Sequence, residues 1–173
     1  MTQRNITTLG QALEQAVPII DISSRIHENK NPEFALLSNL GHKPFRIDGL
    51  SFECLEGFLQ CIKTDDEARQ MDFCAMLGRQ AKKEGSKIAW KHKQTLYWKG
   101  RAYGRHTEEY QQLISRAFQE CYQQCEEFRT VLAATGNAIL DHTIGKVDPT
   151  DTILTIEEFV SRLTRLREYG SLL

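Results

Sequence analysis

The sequence predicts an α+β domain that is predominantly α-helical, with one or two short β-hairpins. Several segments repeat apolar residues at helical spacing, and one Asp-Gly pair separates two short alternating segments. The chain of 173 residues is 40% hydrophobic and 26% charged, which is typical of a folded protein rather than a disordered one. That length is enough for a single domain with a substantial core.

An N-terminal helical arm is predicted over residues 1–30. Pro18 ends or bends a segment with helical spacing, and the polar residues 27–33 are typical of a linker. The main domain is therefore predicted over residues 31–173. The apolar residues that repeat along the arm are Leu9, Ala12, Leu13, Ala16 and Val17.

A hairpin and a short helix are predicted next. The Asp48-Gly49 dipeptide lies between two short segments in which apolar residues alternate, and this pattern predicts a tight turn between two strands. Ser51 then suits the N-cap position of a helix over 52–63. The flanking apolar residues are Phe45, Ile47, Leu50 and Phe52.

A longer helix is predicted over residues 65–84. Its inner face is predicted to contain Ala68, Met71, Ala75 and Gly78, which follow helical spacing. Residues 85–105 are basic and aromatic without a clear period, so we expect them to be irregular.

Further helices are predicted in the second half of the chain. Thr107 suits the N-cap of the first, whose apolar stripe continues until Thr135-Gly136 breaks it. Residues 143–153 are predicted to form a loop around Gly145 and Pro149. The last helix opens with a capping box that starts at Thr155.

Several classes of protein are excluded or disfavoured by composition. The net charge of −1 does not indicate a protein that coats DNA or membranes, although it allows a local basic patch. No run of about 18 apolar residues is present, and the start lacks a secretory leader, so we expect a cytoplasmic protein. The five cysteines lack the spacing of a disulfide framework or a zinc site. We expect them to be mostly reduced and expect neither a metal nor a cofactor.

The predicted helix over 52–63 has an unusual distribution of polar side chains. At about 100° per residue, its polar residues share a stripe only about 80° wide, and every other position is apolar or glycine. The stripe is either the solvent face of a well-buried helix or the wall of a pocket. In a pocket, a carboxylate and an amine held two turns apart would have shifted proton affinities, which suits acid/base or Schiff-base chemistry. The polar residues are Glu53, Glu56, Gln60 and Lys63.

The order of motifs over about residues 34–167 resembles the NADAR family, named for NAD and ADP-ribose. Two departures stand out: Leu40 replaces a frequent aromatic residue, and Gly57 replaces a common histidine. The typical W-G ending is also absent. The matching segments are Leu37-Ser38-Asn39-Leu40, Pro44-Phe45, Asp48-Gly49, the Glu56, Gln60 and Lys63 progression, Trp98 with Arg101 and Arg105, and the run from Leu132 through Thr135-Gly136 to Leu140.

The resemblance implies cleavage of an N-glycosidic bond beside a phosphorylated ribose. Some members remove ADP-ribose from guanine in nucleic acid, and others hydrolyse early intermediates of the riboflavin pathway. We favour ADP-ribosylated guanine, because the basic and aromatic residues 87–106 suit a nucleotide on a polymer. The alternatives are a riboflavin-intermediate N-glycosidase, a non-catalytic reader of ADP-ribose or nucleotides, and a DNA-binding accessory protein.

The predicted catalytic residues are Glu56, Lys63 and Asp148. Glu56 is assigned general acid/base work, and Lys63 is assigned Schiff-base formation, with an ion pair to Glu56 or phosphate binding as its alternatives. Asp141 and Asp151 are alternatives to Asp148. The predicted substrate-binding residues are Asn39, Phe45, Asp48, Gln60, Trp98, Arg101 and Arg105.

Structural roles remain open for several of these residues. Asn39 and Asp48 lie in predicted turns, where such side chains commonly stabilise the backbone. Trp98 is either a stacking platform for a base or a core aromatic residue. The arginines either hold a pyrophosphate or belong to a solvated loop. His142 is expected to make local hydrogen bonds.

Overall fold

The computed structural model describes residues 17–23 and 32–173, in which helices predominate over short strands. The helices are α1 (Leu55–Cys61), α2 (Glu67–Cys74), α3 (Gly78–Gly85), α4 (Glu108–Gln124), α5 (Glu126–Ala134) and α6 (Ile156–Tyr169), with a 3₁₀ helix over Pro32–Leu37. The strands are β1 (Ile19–Asp21), β2 (Phe45–Ile47), β3 (Leu50–Phe52), β4 (Thr95–Trp98), β5 (Arg101–Gly104) and β6 (Ile139–Asp141). The predicted α+β class is confirmed.

The strands form three separate two-stranded sheets. Strands β2 and β3 are antiparallel, as are β4 and β5, whereas β1 and β6 are parallel with Asp21 opposite Asp141. The parallel pair joins the first described segment of the chain to a strand about 120 residues later. It also places the residues that follow both strands side by side.

Strand β1 lies within the segment predicted as a helical arm. Ile20 and Ile22 are buried in the core, so residues 17–23 belong to the folded domain. Local spacing did not reveal this strand because its hydrogen-bond partner lies about 120 residues away in the sequence. Residues 1–16 and 24–31 lie outside the described residues, and the boundary at residue 30 stays a prediction.

The predicted hairpin at Asp48-Gly49 is confirmed as β2–β3. Asp48 and Gly49 have φ values of 47° and 84°, the left-handed conformation that a two-residue hairpin turn requires. A second hairpin, β4–β5, turns at Lys99-Gly100 with φ values of 50° and 73°. The prediction that residues 85–105 are irregular was therefore wrong for the part from Thr95 onward.

Helix α1 begins later than predicted. Cys54 is its N-cap and accepts a hydrogen bond from Gly57 N, while Ser51 lies in β3. Every residue of α1 is buried, including its glutamate and glutamine. The expectation that this helix is buried on most sides is confirmed.

The long helix predicted over 65–84 is two helices, α2 and α3. The predicted inner face was wrong for Ala68, Met71 and Ala75, which are exposed, and is confirmed for Gly78; α2 buries Gln70 and Phe73 instead. Gly78 begins α3 against the loop before β2, where an added Cβ would lie 2.3 Å from the Leu40 carbonyl oxygen.

The later helices follow the predicted signals. Thr107 caps α4, and Thr155 with Glu158 forms the capping box of α6. The predicted helix through residue 134 breaks at Cys125 into α4 and α5. All five cysteines are free. Within the described ranges, no helix has the length and apolar character needed to cross a membrane.

Candidate functional site

A cavity of about 780 Å³ opens beside α1. This volume lies within the range of small-molecule binding sites. Its walls come from the loop before β2, the polar side of α1, the end of α3, the segment 88–92, and the loops on either side of residue 148. Its apolar lining is Leu40, Leu59, Ile88, Ala89, Trp90, Ile144, Ile153, Leu154 and Phe159, and its charged or ionisable lining is Glu56, Lys63, Lys82, Lys91, His92, His142, Lys146 and Asp151.

Glu56 lies in the α1 wall with a side chain that is 6% exposed. Its Oε1 accepts a hydrogen bond of 2.7 Å from Gln60 Nε2 and lies 3.3 Å from Lys82 Nζ of α3. Its backbone N donates to the Asn39 carbonyl oxygen at 2.9 Å. The carboxylate is therefore held by two groups, Gln60 and Lys82, and the backbone of Glu56 by a third, Asn39.

Lys63 lies two turns further along, past the end of α1, and lines the same cavity. Its Nζ donates to the Gly85 carbonyl oxygen at 3.2 Å. Burial lowers the pKa of Lys63 to about 8, an effect that Glu56 opposes and that Lys82 and Lys91 increase. The predicted ion pair of Glu56 is thus formed by Lys82, and Lys63 is left as an amine of lowered basicity.

Two buried amide oxygens at this wall have no hydrogen-bond partner among the described residues. They are Asn39 Oδ1 and Gln60 Oε1. Gln60 Oε1 lies beside Gly85, where an added Cβ would approach it to 2.0 Å. A buried acceptor without a donor costs free energy, which is expected where a ligand completes the hydrogen bonds.

The loop that carries Asn39 is held by a buried lysine. Lys43 Nζ donates to the carbonyl oxygens of Leu36 and Ser38 at 2.6 and 2.5 Å, and its side chain is fully buried. Burial lowers the pKa of Lys43. This cation fixes the loop whose Asn39 carbonyl caps the Glu56 amide.

The cavity lining also includes His142, which follows β6. Its ring packs edge-on against Phe159, with centroids 5.2 Å apart, and its Nδ1 lies 3.5 Å from Ser23 Oγ. Burial is the main cause that lowers the pKa of His142, and Lys82 adds to this effect. An aromatic surface is supplied by Trp90, which is largely buried.

The charged lining of the described cavity is mainly positive. Four lysines line it against two carboxylates, Glu56 and Asp151. Lys91 and Asp151 form an exposed ion pair at 3.0 Å. This balance favours an anionic ligand.

Three of the predicted binding residues lie behind α1 rather than at the cavity. Trp98 is buried against Phe52 and Phe58, which also pack on Phe45, and its Nε1 donates to Asp48 Oδ2 at 2.6 Å. Arg116 holds the same carboxylate through two hydrogen bonds. We therefore assign Phe45, Asp48 and Trp98 to the scaffold that supports α1.

The two predicted arginines also have other contacts. Arg105 is buried, with a two-point ion pair to Glu158 and a hydrogen bond of 2.8 Å to the Thr152 carbonyl oxygen. It ties the start of α6 to the loop at the cavity edge. Arg101 lies over the Tyr103 ring on the second hairpin, at 4.8 Å.

Among the three candidate aspartates, the structure places Asp151 at the cavity. Asp148 is exposed, and its carboxylate accepts hydrogen bonds from Thr150 N and Oγ1. Asp141 Oδ1 accepts a hydrogen bond from His142 N. The assignment of Asp148 as a second catalytic carboxylate gains no geometric support from this position.

Sequence reasoning missed Lys82, Trp90 and Lys146 as cavity residues, and gave His142 a local role only. These residues come from α3 and from loops, so only the tertiary fold brings them together. Trp90 lies in the basic and aromatic stretch that drew attention to Trp98, but no local signal separates the two tryptophans. Within the described ranges, no group of three or more His, Cys, Asp or Glu residues is arranged to hold a metal ion.

Known proteins similar to this chain agree with this architecture. The model of the family described as bacteriophage protein GP30.3 matches residues 33–168. A relative in Enterobacteria phage T4, the "Uncharacterized 17.1 kDa protein in Gp30-rIII intergenic region", is 34% identical over 134 residues, which cover 76% of this chain and 88% of that protein. The chain belongs to the bacteriophage GP30.3 family.

The fold of this GP30.3-family chain is also that of a NADAR protein. The NMR structure of the E. coli protein YbiA matches it with a TM-score of 0.56 and 18% identity, covering 88% of this chain and 84% of YbiA. YbiA is a NADAR-family protein. The NADAR-like fold that the motif order predicts is therefore confirmed.

The fold explains one departure of this GP30.3-family chain from the NADAR motif. At Gly57, an added Cβ would lie 3.0 Å from the Phe73 carbonyl oxygen of α2. Residue 57 thus faces α2, and a histidine there would force the two helices apart. The glycine lets α1 and α2 pack closely behind the cavity.

Proposed function

We propose that this protein is a hydrolase of N-glycosidic bonds and that it removes ADP-ribose from ADP-ribosylated guanine in nucleic acid. One observation carries the proposal: α1 and the residues just after it aim a buried carboxylate and an amine of lowered pKa into one lysine-lined cavity. The NADAR-like fold supports the reaction class. The specific substrate rests on the cavity and on the charges around it.

The bond to be broken joins ribose C1′ to a base nitrogen. Its cleavage leaves positive charge on the sugar carbon and an electron pair on the departing nitrogen. Glu56 is suited to stabilise the first and to pass a proton to the second. Its hydrogen bond from Gln60 and its ion pair with Lys82 hold the carboxylate in one orientation.

Lys63 is suited to attack C1′. With a pKa of about 8, about a tenth of its side chains are neutral at pH 7, against roughly one in three thousand for an unperturbed lysine. As the nitrogen–C1′ bond forms, the bond to the base breaks and its electron pair leaves on the base nitrogen. Glu56 takes the proton that Lys63 loses and delivers it to that nitrogen. Ring opening then breaks the C1′–O4′ bond, its electron pair leaves on O4′, which takes a proton from solvent, and Lys63 is left as a protonated Schiff base. Water hydrolyses this Schiff base to release the sugar and restore the amine.

The lysines are suited to hold the pyrophosphate. Lys82, Lys91 and Lys146 line the cavity, and Trp90 offers an apolar face for a base or ribose. Asn39 Oδ1 and Gln60 Oε1, which lack donors among the described residues, are suited to accept hydrogen bonds from the ligand.

A nucleic-acid substrate is favoured over a free metabolite by the charge distribution. Residues 79–106 contain nine Lys and Arg residues and one acidic residue, Glu84, although the whole chain has a net charge of −1. This stretch includes α3 and the segment at the cavity edge. Apart from the buried Arg105, its positive side chains are available to contact the phosphates of a strand that enters the cavity.

The test is turnover of a defined substrate by the purified protein. An oligonucleotide carrying one ADP-ribosylated guanine should be converted to the unmodified oligonucleotide and free ADP-ribose, as measured by mass spectrometry. Phosphorylated riboflavin-pathway intermediates form a second arm. Turnover of only those intermediates would replace the substrate assignment, and tight ADP-ribose binding without turnover of either would indicate a reader.

A pair of matched variants tests the role of the cavity carboxylate. Glu56→Gln should bind ADP-ribose but lose about 10²-fold or more in turnover, in line with the loss of an acid/base group. Glu53→Gln is the control, because Glu53 lies just before the same helix and contacts the exposed His42 instead. Equal activity of the two variants would remove Glu56 from the mechanism.

A further inference from the structure

The carboxyl ends of the parallel strands β1 and β6 meet beside the cavity. Their last residues, Asp21 and Asp141, lie opposite each other, and the chain that follows brings Ser23 next to His142 and Thr143. Side chains at the carboxyl ends of parallel strands commonly form functional sites. His142 and Phe159 carry this group into the cavity wall.

A chain of hydrogen bonds fixes the imidazole of His142. Ser23 Oγ donates to Asp21 Oδ1 at 2.5 Å, and Thr143 Oγ1 donates to Asp21 Oδ2 at 2.7 Å. Because the Ser23 hydroxyl proton points to Asp21, Ser23 Oγ accepts from His142 Nδ1 at 3.5 Å. In the neutral ring, Nδ1 therefore carries the proton and Nε2 carries a lone pair.

His142 Nε2 has no hydrogen-bond partner within residues 17–23 and 32–173. The charged groups that face the ring are Asp21 and Asp141 at the strand ends, Lys82 of α3, and Glu56 of α1. The last two form the carboxylate–lysine pair that lines the cavity at α1 and α3. His142 and Glu56 thus line the same cavity, in which a substrate would contact both.

We propose that His142 is a second catalytic residue of this site, which acts as the general base for the water that attacks C1′ of the Schiff base. The proposal rests on the N-glycosidase function proposed above. The oxygen–C1′ bond forms, the C=N electron pair moves to Lys63 Nζ, and the water proton passes to His142 Nε2. The imidazolium returns that proton to Nζ as the C1′–N bond breaks. The remaining hydroxyl proton then passes through His142 Nε2 to Nζ, which leaves the sugar as an aldehyde.

The surroundings of His142 suit a base rather than an acid. Burial holds the pKa of His142 below its usual value, so the ring is mainly neutral at pH 7. Asp21 favours the imidazolium that forms in the step, through the Ser23 hydroxyl. Asp21 and Ser23 are therefore positioning residues, which orient the ring and stabilise its charge without touching the substrate.

The experiment compares His142→Gln with His42→Gln, a control histidine that is exposed and pairs with Glu53 away from the cavity. During turnover of the ADP-ribosylated oligonucleotide, borohydride should trap more adduct on His142→Gln than on wild type, because its Schiff base forms but is hydrolysed slowly. Turnover should fall by about 10²-fold. Wild-type turnover, or a loss of turnover without more trapped adduct, would overturn the role of His142.

A pH profile gives a second readout that a purely structural role would not move. In a single turnover followed by borohydride quenching, the decay rate of the wild-type Schiff base should rise with an apparent pKa below 6.5, and Asp21→Asn should shift this limb to lower pH, because Asp21 raises the pKa of His142. If the limb does not move in Asp21→Asn, the hydrogen-bond chain from Asp21 to His142 has no role in the step. This result also decides whether His142 is the base if His142→Gln does not fold. A wild-type protein without turnover would instead defeat the proposed function itself.

Discussion

Glu56 of α1 and Lys82 of α3 form an ion pair of 3.3 Å at the cavity surface. The pair joins two helices that also approach closely at Gln60 and Gly85. Burial lowers the pKa of Lys63 to about 8, and the charge of Lys82, which pairs with Glu56, adds to this effect. Lys82 forms the ion pair with Glu56 and Lys63 does not, and the chemistry proposed for the site follows from this difference.

Replacing Lys82 should weaken ligand binding more than it weakens the fold. Its side chain is 66% exposed, so solvent screens the ammonium end of the pair and keeps its contribution to stability to about 0–1 kcal/mol. We expect Lys82→Met to change the free energy of unfolding by less than about 1 kcal/mol and to raise the Kd for ADP-ribose about tenfold. Urea denaturation and calorimetric titration measure the two effects; an unchanged Kd would remove Lys82 from the binding site.

Replacing Lys63 should stabilise the protein while it abolishes activity. The pKa of Lys63 is about 8 in the folded chain against 10.5 unfolded, so the unfolded state binds more protons between these values and stability rises with pH there. Below pH 8 the full cost of burying the charge is present. Lys63→Met should therefore gain about 1–2 kcal/mol at pH 7 and less at pH 10. Urea denaturation at both pH values measures this change. A variant less stable than wild type at pH 7 would contradict the prediction.

The buried Lys43 should be essential for stability. Its removal takes the Nζ donor from the Leu36 carbonyl oxygen, at about 1–3 kcal/mol for an acceptor left without a donor, and leaves the Ser38 carbonyl oxygen with only the hydrogen bond from Gly41 N. We expect Lys43→Met to lose about 2–4 kcal/mol in urea denaturation. Lys93→Met, at an exposed lysine, should lose less than about 0.5 kcal/mol. Equal losses would show that the Lys43 contacts do not hold the loop.

Gly85 should tolerate no side chain. An added Cβ would lie 2.0 Å from Gln60 Oε1, so Gly85→Ala must displace the amide that holds Glu56. We expect a loss of about 1–3 kcal/mol in stability together with a fall in kcat. Lys83→Ala, on the exposed side of α3, is the matched control and should change neither quantity. Normal kcat in Gly85→Ala would show that the Gln60 contact is dispensable.

The two tryptophans should separate scaffold from site. Trp98→Phe loses its hydrogen bond to Asp48 and core packing, so we expect about 1–3 kcal/mol of destabilisation with an unchanged KM. Trp90→Ala should raise KM for the ADP-ribosylated oligonucleotide about tenfold, because Trp90 lines the cavity. A KM effect confined to Trp98 would reverse this assignment.

These two tryptophans also show what the sequence could and could not predict. Glu56, Gln60 and Lys63 could be found because they follow one helical period, which local spacing reveals. Trp90 lines the cavity, whereas Trp98 is buried at the end of β4. The basic residues around the β4–β5 turn gave no sign of this hairpin in the sequence. The position of His142 at the cavity depends on the pairing of β1 with β6, which lie far apart in the sequence. Asp48 and Arg105 were predicted to bind substrate, but the structure pairs them with Trp98, Arg116 and Glu158, which lie far away in sequence.

The most direct test of the central claim is to trap the sugar on the enzyme. Borohydride added to the wild-type protein during turnover of an ADP-ribosylated oligonucleotide should give a covalent adduct, and peptide mapping should place it on Lys63. Lys63→Met should show neither adduct nor turnover. Active turnover with no adduct, or an adduct on another lysine, would contradict the role of the α1 wall proposed above.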